Sequence, residues 1–410
     1  MVIDGVLQAR EKRREEVLKL SKTSDVITLK ANVPGSDKNT VYSKLLVSYF
    51  IKILDSYGVK FYKKLTGLDG ETAIFLTDNG KALKRKFVRL ENSHPLGRFI
   101  DVDVTLKGET SSICRTRLRK CFLCNKPAFY CGRTKAHTEG ELLSYINKKC
   151  EEYFTFVLED LVRHSMLKEL NLNDKFGLVS KKSNGSHTDL NYMIMKRAIN
   201  AIKTPLSSCF FIGLNVNDCS ELIKVLRPIG VFIEEKMYSV TNGANAYKGF
   251  IFLGGTILAS VGYMINKSLD FSNFQNVVKS ILQGFEEKVD KSTFGYNAYK
   301  TDNFLGIRSL ISSGFLEIIE VERILDYSNL LKTLTQIVSK IDDSVLYKRS
   351  KTYENYKRYK DLISNVNPGD KKQVKKINQL CVKNNISIGG SADVLISAIM
   401  LNKLKELFVL

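Results

Sequence analysis

The chain has 410 residues, with 63 Lys+Arg against 43 Asp+Glu, a formal charge of +20 at pH 7 and 44% hydrophobic residues. That length predicts two or three domains, each able to bury a core, and the apolar content without low-complexity tracts excludes a disordered or fibrous chain. The charge is uneven, 29 Lys+Arg against 16 Asp+Glu in residues 1–150 and 34 against 27 in the remainder, so the N-terminal part favours a polyanionic partner: nucleic acid, a phosphorylated cofactor or an acidic protein surface.

The charged stretch "AREKRREE" at 9–16 stands where a secretory segment needs apolar residues. A cytoplasmic location is therefore expected, with the eight cysteines reduced, metal-bound or catalytic rather than paired. Residues 6–22 carry the pattern of a basic amphipathic helix, and "VITLKANVPG" at 26–35 alternates like a strand. A helix is predicted from about Thr40 to Tyr57, capped by Asn39 or Thr40. The runs "VKFYKKL", "TAIFLT", "KFVRL" and "HPLGRFIDVDVTL" then read as short strands separated by turn residues, predicting an α+β domain with a small, mostly antiparallel sheet. In the last run, at 94–106, alternation sets Asp101 and Asp103 on one face and Ile100, Val102 and Val104 on the other. Strands usually avoid aspartate. Two same-face carboxylates, roughly 6 to 7 Å apart along the strand, suit a hard cation in phosphoryl chemistry, and equally suit a solvated acidic face.

Next, "RKCFLCNKPAFYCGRTKAH" spaces Cys121, Cys124, Cys131 and His137 as C-x2-C-x6-C-x5-H. Three thiols and an imidazole fill a tetrahedral zinc site, but the spacing matches no common finger. On sequence, small buried residues beside a basic surface of Arg115, Arg117, Arg119, Arg133 and Lys135 is the preferred reading. Such guanidinium groups grip phosphate oxygens in bidentate fashion.

From about residue 139 the period turns helical and stays so, predicting an all-α second part. No Pro/Gly/Ser linker marks the junction, and neither proline nor glycine occurs from Glu141 to Glu169, so the domains, placed at 1–150 and 151–410, are expected to be joined by nearly continuous helix. The uncharged run at 249–265 is short for a bilayer and carries four glycines, so a buried helix packed through small residues is expected, with no membrane partner. Three glycine-rich stretches, "NGSHTDLN" (184–191), "TNGANAYKG" (241–249) and "IGGSADVL" (388–395), stand beside helical patterns where amides can approach phosphates. His187, Asp189, Glu234, Asn245, Lys248 and Asp393 lie close by in sequence.

These residues resemble two known families. "LQAREKRREEVL", "LKANVPGSDKN", "HPLGRFIDVDV" and "RKCFLCNKPAFYCGRTKAHTEGEL" resemble the phosphoribosyl-dephospho-CoA transferases, or holo-citrate-lyase synthases. "FGLV", "GSHTDLN", "RPIGVFIEEKM", "TNGANAYKGFIF", "LGIRSLISSGF" and "GGSADVL" resemble triphosphoribosyl-dephospho-CoA synthase. The resemblance implies a nucleotidyltransferase-like N-terminal domain and two consecutive reactions. The C-terminal half would join ATP to 3′-dephospho-CoA with loss of adenine, and the N-terminal half would move the product, less diphosphate, onto a serine of the citrate lyase acyl carrier protein. It implies Mg²⁺ on Asp101 and Asp103, catalysis by these two with Arg98, Asp189 and Glu234, and no nucleic-acid partner. Phosphate or substrate binding would fall to Arg115, Arg119, Arg133, His137, Gly185, Ser186, His187, Gly243, Asn245, Lys248, Gly249, Arg308, Gly389, Gly390, Ser391 and Asp393. Ser180, Tyr247 and Leu310 stand where the synthase pattern has Asp, His and Glu. That leaves a second reading, in which only the transferase acts and the helical half binds the precursor. A third, an RNA-binding zinc knuckle, lacks interleaved aromatic and basic residues.

Overall fold

A computed structural model describes residues 2–115, 118–124, 126–285 and 304–409. The chain divides into two compact units, Met1–Phe156 with Glu406–Leu410, and Val157–Lys405.

The first unit is built on a four-stranded antiparallel sheet of order β2-β3-β1-β4, from β1 (Asp25–Ala31), β2 (Lys60–Gly67), β3 (Gly70–Thr77) and β4 (Ile100–Thr105). Register makes its two faces chemically different. Ile27 sits opposite Phe75 and Val104, and Leu29 opposite Ala73 and Val102, and all six are fully buried. The other face carries Thr28, Lys30, Asp101 and Asp103. Helix α1 spans Val2–Ser21. Helix α2 (Val41–Asp55) buries Leu45, Leu46, Phe50 and Leu54, and begins where the Thr40 hydroxyl accepts the Ser43 N–H at 3.2 Å.

The run "KFVRL" is not a strand. It lies inside helix α3 (Gly80–Ser93), whose buried Leu83, Lys84, Phe87, Leu90 and Glu91 recur three and four apart. Five residues are too short a window to separate that period from alternation. Past β4 comes irregular chain, then the short helix α4 (Ala128–Thr134). Helix α5 (Glu139–Leu170) runs uninterrupted across the division between the units, as the lack of proline in it permits.

The second unit is helical throughout its described residues: α6 (Tyr192–Asn215), α7 (Leu222–Thr241), α8 (Lys248–Lys267), α9 (Phe274–Ile281), α10 (Ile307–Ser313), α11 (Leu316–Arg323), α12 (Leu330–Lys340), α13 (Ser344–Ser350), α14 (Tyr353–Ser364), α15 (Lys371–Lys383) and α16 (Gly389–Leu407). Helices α6 and α8 form its centre. A Cβ on Gly213 would lie 1.9 Å from the Ala259 carbonyl oxygen, and one on Gly262 would lie 2.1 Å from that of Phe210, so glycine is what lets these backbones touch. Among the described residues α8 alone is long and apolar enough to cross a membrane, and 83% of its apolar window is buried in the fold.

Candidate active sites

The first site lies on the polar face of the sheet. Asp101 Oδ1 accepts from the Nη2 atoms of Arg115 (3.1 Å) and Arg119 (2.9 Å), and Lys30, opposite it on β1, places Nζ 4.0 Å from Oδ2. Burial, with help from Arg13, holds Lys30 below the ordinary lysine value, against the opposing pull of Asp101 and Asp103. Asp103 Oδ1 lies 3.6 Å from Nζ of Lys84, which is itself buried and donates to the Val102 carbonyl at 2.8 Å. Behind them, buried Glu91 accepts the Val102 N–H (2.8 Å), Arg119 (3.2 Å) and Arg115 through Oε1, while its Oε2 has no partner.

The structure thus brings Asp101, Asp103, Arg115 and Arg119 together and adds Lys30, Lys84 and Glu91, which sequence reasoning missed. Lys84 and Glu91 lie seven apart on the inner face of α3, flanking the five-residue run that reads as a strand. Arg117 lies outside the described residues. The two carboxylates keep about a third of their surface open, 27% and 34%, on a polar face, and such hard oxygen donors fit a divalent cation of the Mg²⁺ type.

Arg98, Arg133 and His137 are placed elsewhere. Arg98 Nη2 donates to the carbonyls of Lys120 (2.5 Å) and Cys121 (2.8 Å), clasping the loop after β4. Arg133 is exposed over the Phe129 ring. His137 sits with the cysteines, its Nε2 3.4 Å from Cys124 Sγ, which is 3.4 Å from Cys131 Sγ. The ligand atoms of Cys121, Cys124, Cys131 and His137 all fall within 4.8 Å of one another. Burial raises the Cys121 thiol, but N–H groups of Cys124 and Leu123 facing its sulfur lower it further, leaving it below the ordinary thiol value. Burial and the adjacent Cys124 and Cys121 push Cys131 up to about 11.

The second site is a cavity of about 1190 Å³ within the helical unit. Of the expected residues, His187, Asp189, Glu234, Asn245, Lys248, Gly249, Arg308, Gly389, Gly390 and Asp393 line it. Glu234 and Lys248 are ion-paired at 2.8 Å, and the Asn245 side chain accepts the Lys248 N–H at 3.1 Å where α8 begins. His187 Nδ1 lies 3.2 Å from Arg349 and 3.7 Å from Asp189; burial, then Arg349, brings the imidazole down to about 4. The Asp393 carboxyl packs over the start of α8, where a Cβ on Gly249 would meet its Oδ2 at 2.2 Å. Burial, reinforced by Asp343 and Glu169, holds it well above the usual carboxylate range.

The lining residues not foreseen as site residues include Lys348, Arg349, Glu169 and Tyr247. Glu169, near the end of α5, makes a buried ion pair with Lys175 at 2.5 Å. Tyr247 is 2% exposed, and its hydroxyl has no hydrogen-bond partner.

Five expected phosphate contacts are committed elsewhere. Ser391 N–H and hydroxyl donate to Asp343 Oδ2 (2.7 and 2.9 Å), and the Gly390 N–H, though its residue lines the cavity, donates to Asp343 Oδ1 at 3.2 Å. Ser186 donates its hydroxyl to the Ile386 carbonyl (2.5 Å) and its N–H to that of Gly177, against which Gly185 is packed. Gly243, at φ +82°, follows the left-handed Asn242 at the end of α7 and donates to Tyr238, a helix cap.

Residues 1–153 match the family described as apo-citrate lyase phosphoribosyl-dephospho-CoA transferase, and residues 156–410 match ATP:dephospho-CoA triphosphoribosyl transferase. Protein CitXG of Leuconostoc mesenteroides subsp. cremoris is 27% identical over 96% of this chain and 95% of its own length. Protein CitXG of Haemophilus influenzae is 26% identical over 96% and 94%. A probable 2-(5''-triphosphoribosyl)-3'-dephosphocoenzyme-A synthase of Lactiplantibacillus plantarum is 28% identical over 60% of this chain and 96% of its own. The chain therefore belongs to the ATP:dephospho-CoA triphosphoribosyl transferases through residues 156–410 and to the apo-citrate lyase phosphoribosyl-dephospho-CoA transferases through residues 1–153, a transferase of citrate lyase prosthetic-group biosynthesis.

Proposed function

We propose that residues 151–410 join the ribose C1 of ATP to the 2′-hydroxyl of 3′-dephospho-CoA, and that residues 1–150, read as nucleotidyltransferase-like, pass the product to a serine of the citrate lyase acyl carrier protein. The observation that carries this is the cavity of the helical unit: about 1190 Å³, lined by Asp189, Glu234 and Asp393 together with Lys248, Arg308 and Arg349. It exceeds the roughly 300 to 1,000 Å³ of ordinary ligand sites, as two nucleotide substrates require.

In the first step the C1–N9 bond of ATP breaks, positive charge grows on the ribose and adenine takes up a proton. Glu234 and Asp189 offer negative charge to the ribose and a base for the attacking hydroxyl. Asp393, whose carboxyl is held well above the usual carboxylate range, is the group to supply the proton to adenine. In the second step the carrier serine oxygen bonds to the α-phosphorus and diphosphate leaves. Arg115, Arg119 and Lys30 hold the phosphate oxygens and offset their growing charge. Asp101 and Asp103 would hold Mg²⁺, which would supply charge neutralisation at the triphosphate. The basic N-terminal residues suit both the polyanionic precursor and an acidic carrier surface, and the nucleotide substrates suit a cytoplasmic enzyme.

The test is incubation of the full chain with ATP, 3′-dephospho-CoA, Mg²⁺ and apo carrier protein, reading adenine release and carrier mass together. Both should appear. Leu310, an apolar residue lining the cavity where the family pattern has Glu, favours a second reading in which the helical unit binds these ligands without cleaving ATP. Thermal stabilisation by ATP and dephospho-CoA with no adenine release would select it.

A further inference from the structure

We propose that Cys121, Cys124, Cys131 and His137 hold one structural zinc ion that fixes the loop presenting Arg119 to Asp101. The chain folds around these four side chains as a knuckle does. Lys120 bridges to Pro127, the Cys121 N–H donates to the Lys126 carbonyl at 2.8 Å, and the Ala128 N–H donates to the Arg119 carbonyl at 2.8 Å, so the Cys-x2-Cys pair sits in a tight reversal. Helix α4 then carries Cys131, and the left-handed Lys135, at φ 48°, turns the chain back so that His137 reaches the same point.

The separations fit a metal better than a disulfide or a packed core. Tetrahedral zinc with Zn–S of about 2.3 Å holds its sulfurs roughly 3.8 Å apart. Cys124 and Cys131 sulfurs lie 3.4 Å apart, far outside the roughly 2.05 Å of a disulfide, and all four ligand atoms fall within 4.8 Å. Packing explains little of the cluster, because the loop meets the core mainly through Phe122, whose ring lies edge-on to the buried Phe99 at 5.3 Å. Among the described residues of 118–137 only Cys121 and Cys131 are buried, while Leu118, Leu123, Phe129 and Tyr130 are exposed. A segment that buries so little keeps one conformation through a cross-link or a metal. The surroundings also match in charge. Three thiolates and a neutral imidazole on Zn²⁺ leave a net −1, and Arg98, Arg119, Lys120, Lys126, Arg133 and Lys135 lie in or against the loop. Arg119, two residues before the first ligand, contacts Asp101 and Glu91, and Arg98 ties the first ligand's carbonyl to the turn preceding β4. The metal would thus act on transfer by positioning rather than by touching substrate.

The full chain, expressed with zinc in the medium and purified without chelator, should carry about one zinc per chain. After exchange with Co²⁺ it should show thiolate-to-cobalt charge transfer and the intense visible bands of four-coordinate cobalt. Stripping the metal should lower Tm by roughly 5 °C or more, restored by zinc. Cys124→Ala and His137→Ala should lose at least about tenfold in zinc affinity, whereas His137→Cys, an all-thiolate set, should keep the metal with a shifted cobalt spectrum. Should the alanine variants not fold, native zinc content and the His137→Cys spectrum still decide. Zinc below about 0.1 per chain with freely titrating thiols, or a Cys124–Cys131 disulfide in the unreduced mass, overturns the proposal.

Discussion

Removing one oxygen, by Tyr247→Phe, separates what a buried group costs the empty fold from what it does for a ligand. The hydroxyl is buried with no hydrogen-bond partner in the protein, and its residue lines the large cavity. An unsatisfied buried hydroxyl costs about 1 to 3 kcal/mol, and relief of about 1 kcal/mol should raise Tm by roughly 2 to 4 °C in a domain of this size. With ligand bound the sign reverses. The phenol is held in its protonated state far above neutral pH by burial and by Glu169 and Asp393, so it is a permanent donor to a phosphate or ribose oxygen. Loss of that bond at about 1.5 to 3 kcal/mol, the range for a charged acceptor, should weaken ATP and dephospho-CoA binding by roughly 10- to 150-fold. Melting curves with and without the two ligands, beside calorimetric titration, give both numbers from one pair of proteins. A Phe variant that melts lower when empty and binds as tightly as the parent would refute the reasoning, since the hydroxyl would then have a partner in the protein and none in the ligand.

Three further outcomes are expected. Asp101→Asn or Asp103→Asn should cut carrier modification by roughly 100-fold or more while adenine release continues, read by carrier mass and by chromatography; unchanged transfer in both removes these aspartates from the site. Asp393→Asn should gain in Tm relative to the parent as pH rises from acid to alkali. The folded carboxyl titrates above its unfolded value, so its stabilising contribution is complete below the unfolded value and is lost as pH rises toward the folded one, and a neutral amide escapes that loss; melts from pH 5 to pH 9 check the sign, and the same variant should release adenine far more slowly. Gly249→Ala should push the Asp393 carboxyl from the start of α8, given the 2.2 Å approach, at a stability cost of about 1 to 3 kcal/mol; adenine release that survives intact would show that the carboxyl need not sit there.

What could be read from the sequence was local. The Thr40 cap, the alternation that sets Asp101 and Asp103 on one face and the small-residue packing of α8 are each written within a few neighbouring residues, and each is present. Pairings across the chain were not legible. Glu91 meets Arg115 and Arg119 only because α3 packs beside β4, and Asp343 meets Gly390 and Ser391 across more than 40 residues. The glycine-rich stretches show why the difference matters. A missing Cβ opens the backbone to any close neighbour, and sequence cannot say whether that neighbour is a bound phosphate or the protein itself. Here much of it is the protein: Asp343 takes the amides of Gly390 and Ser391, Asp393 lies against Gly249, and Ser186 bonds to Ile386. With the amides of Ser186, Gly390 and Ser391 already occupied, recognition of a triphosphate in the helical unit falls more to side-chain cations around the cavity, Lys248, Arg308, Lys348 and Arg349. Point charges on long side chains bind anions more through Coulomb attraction than through fixed amide geometry, so affinity for ATP at this site should fall steeply with added salt, as it would not for a backbone cradle.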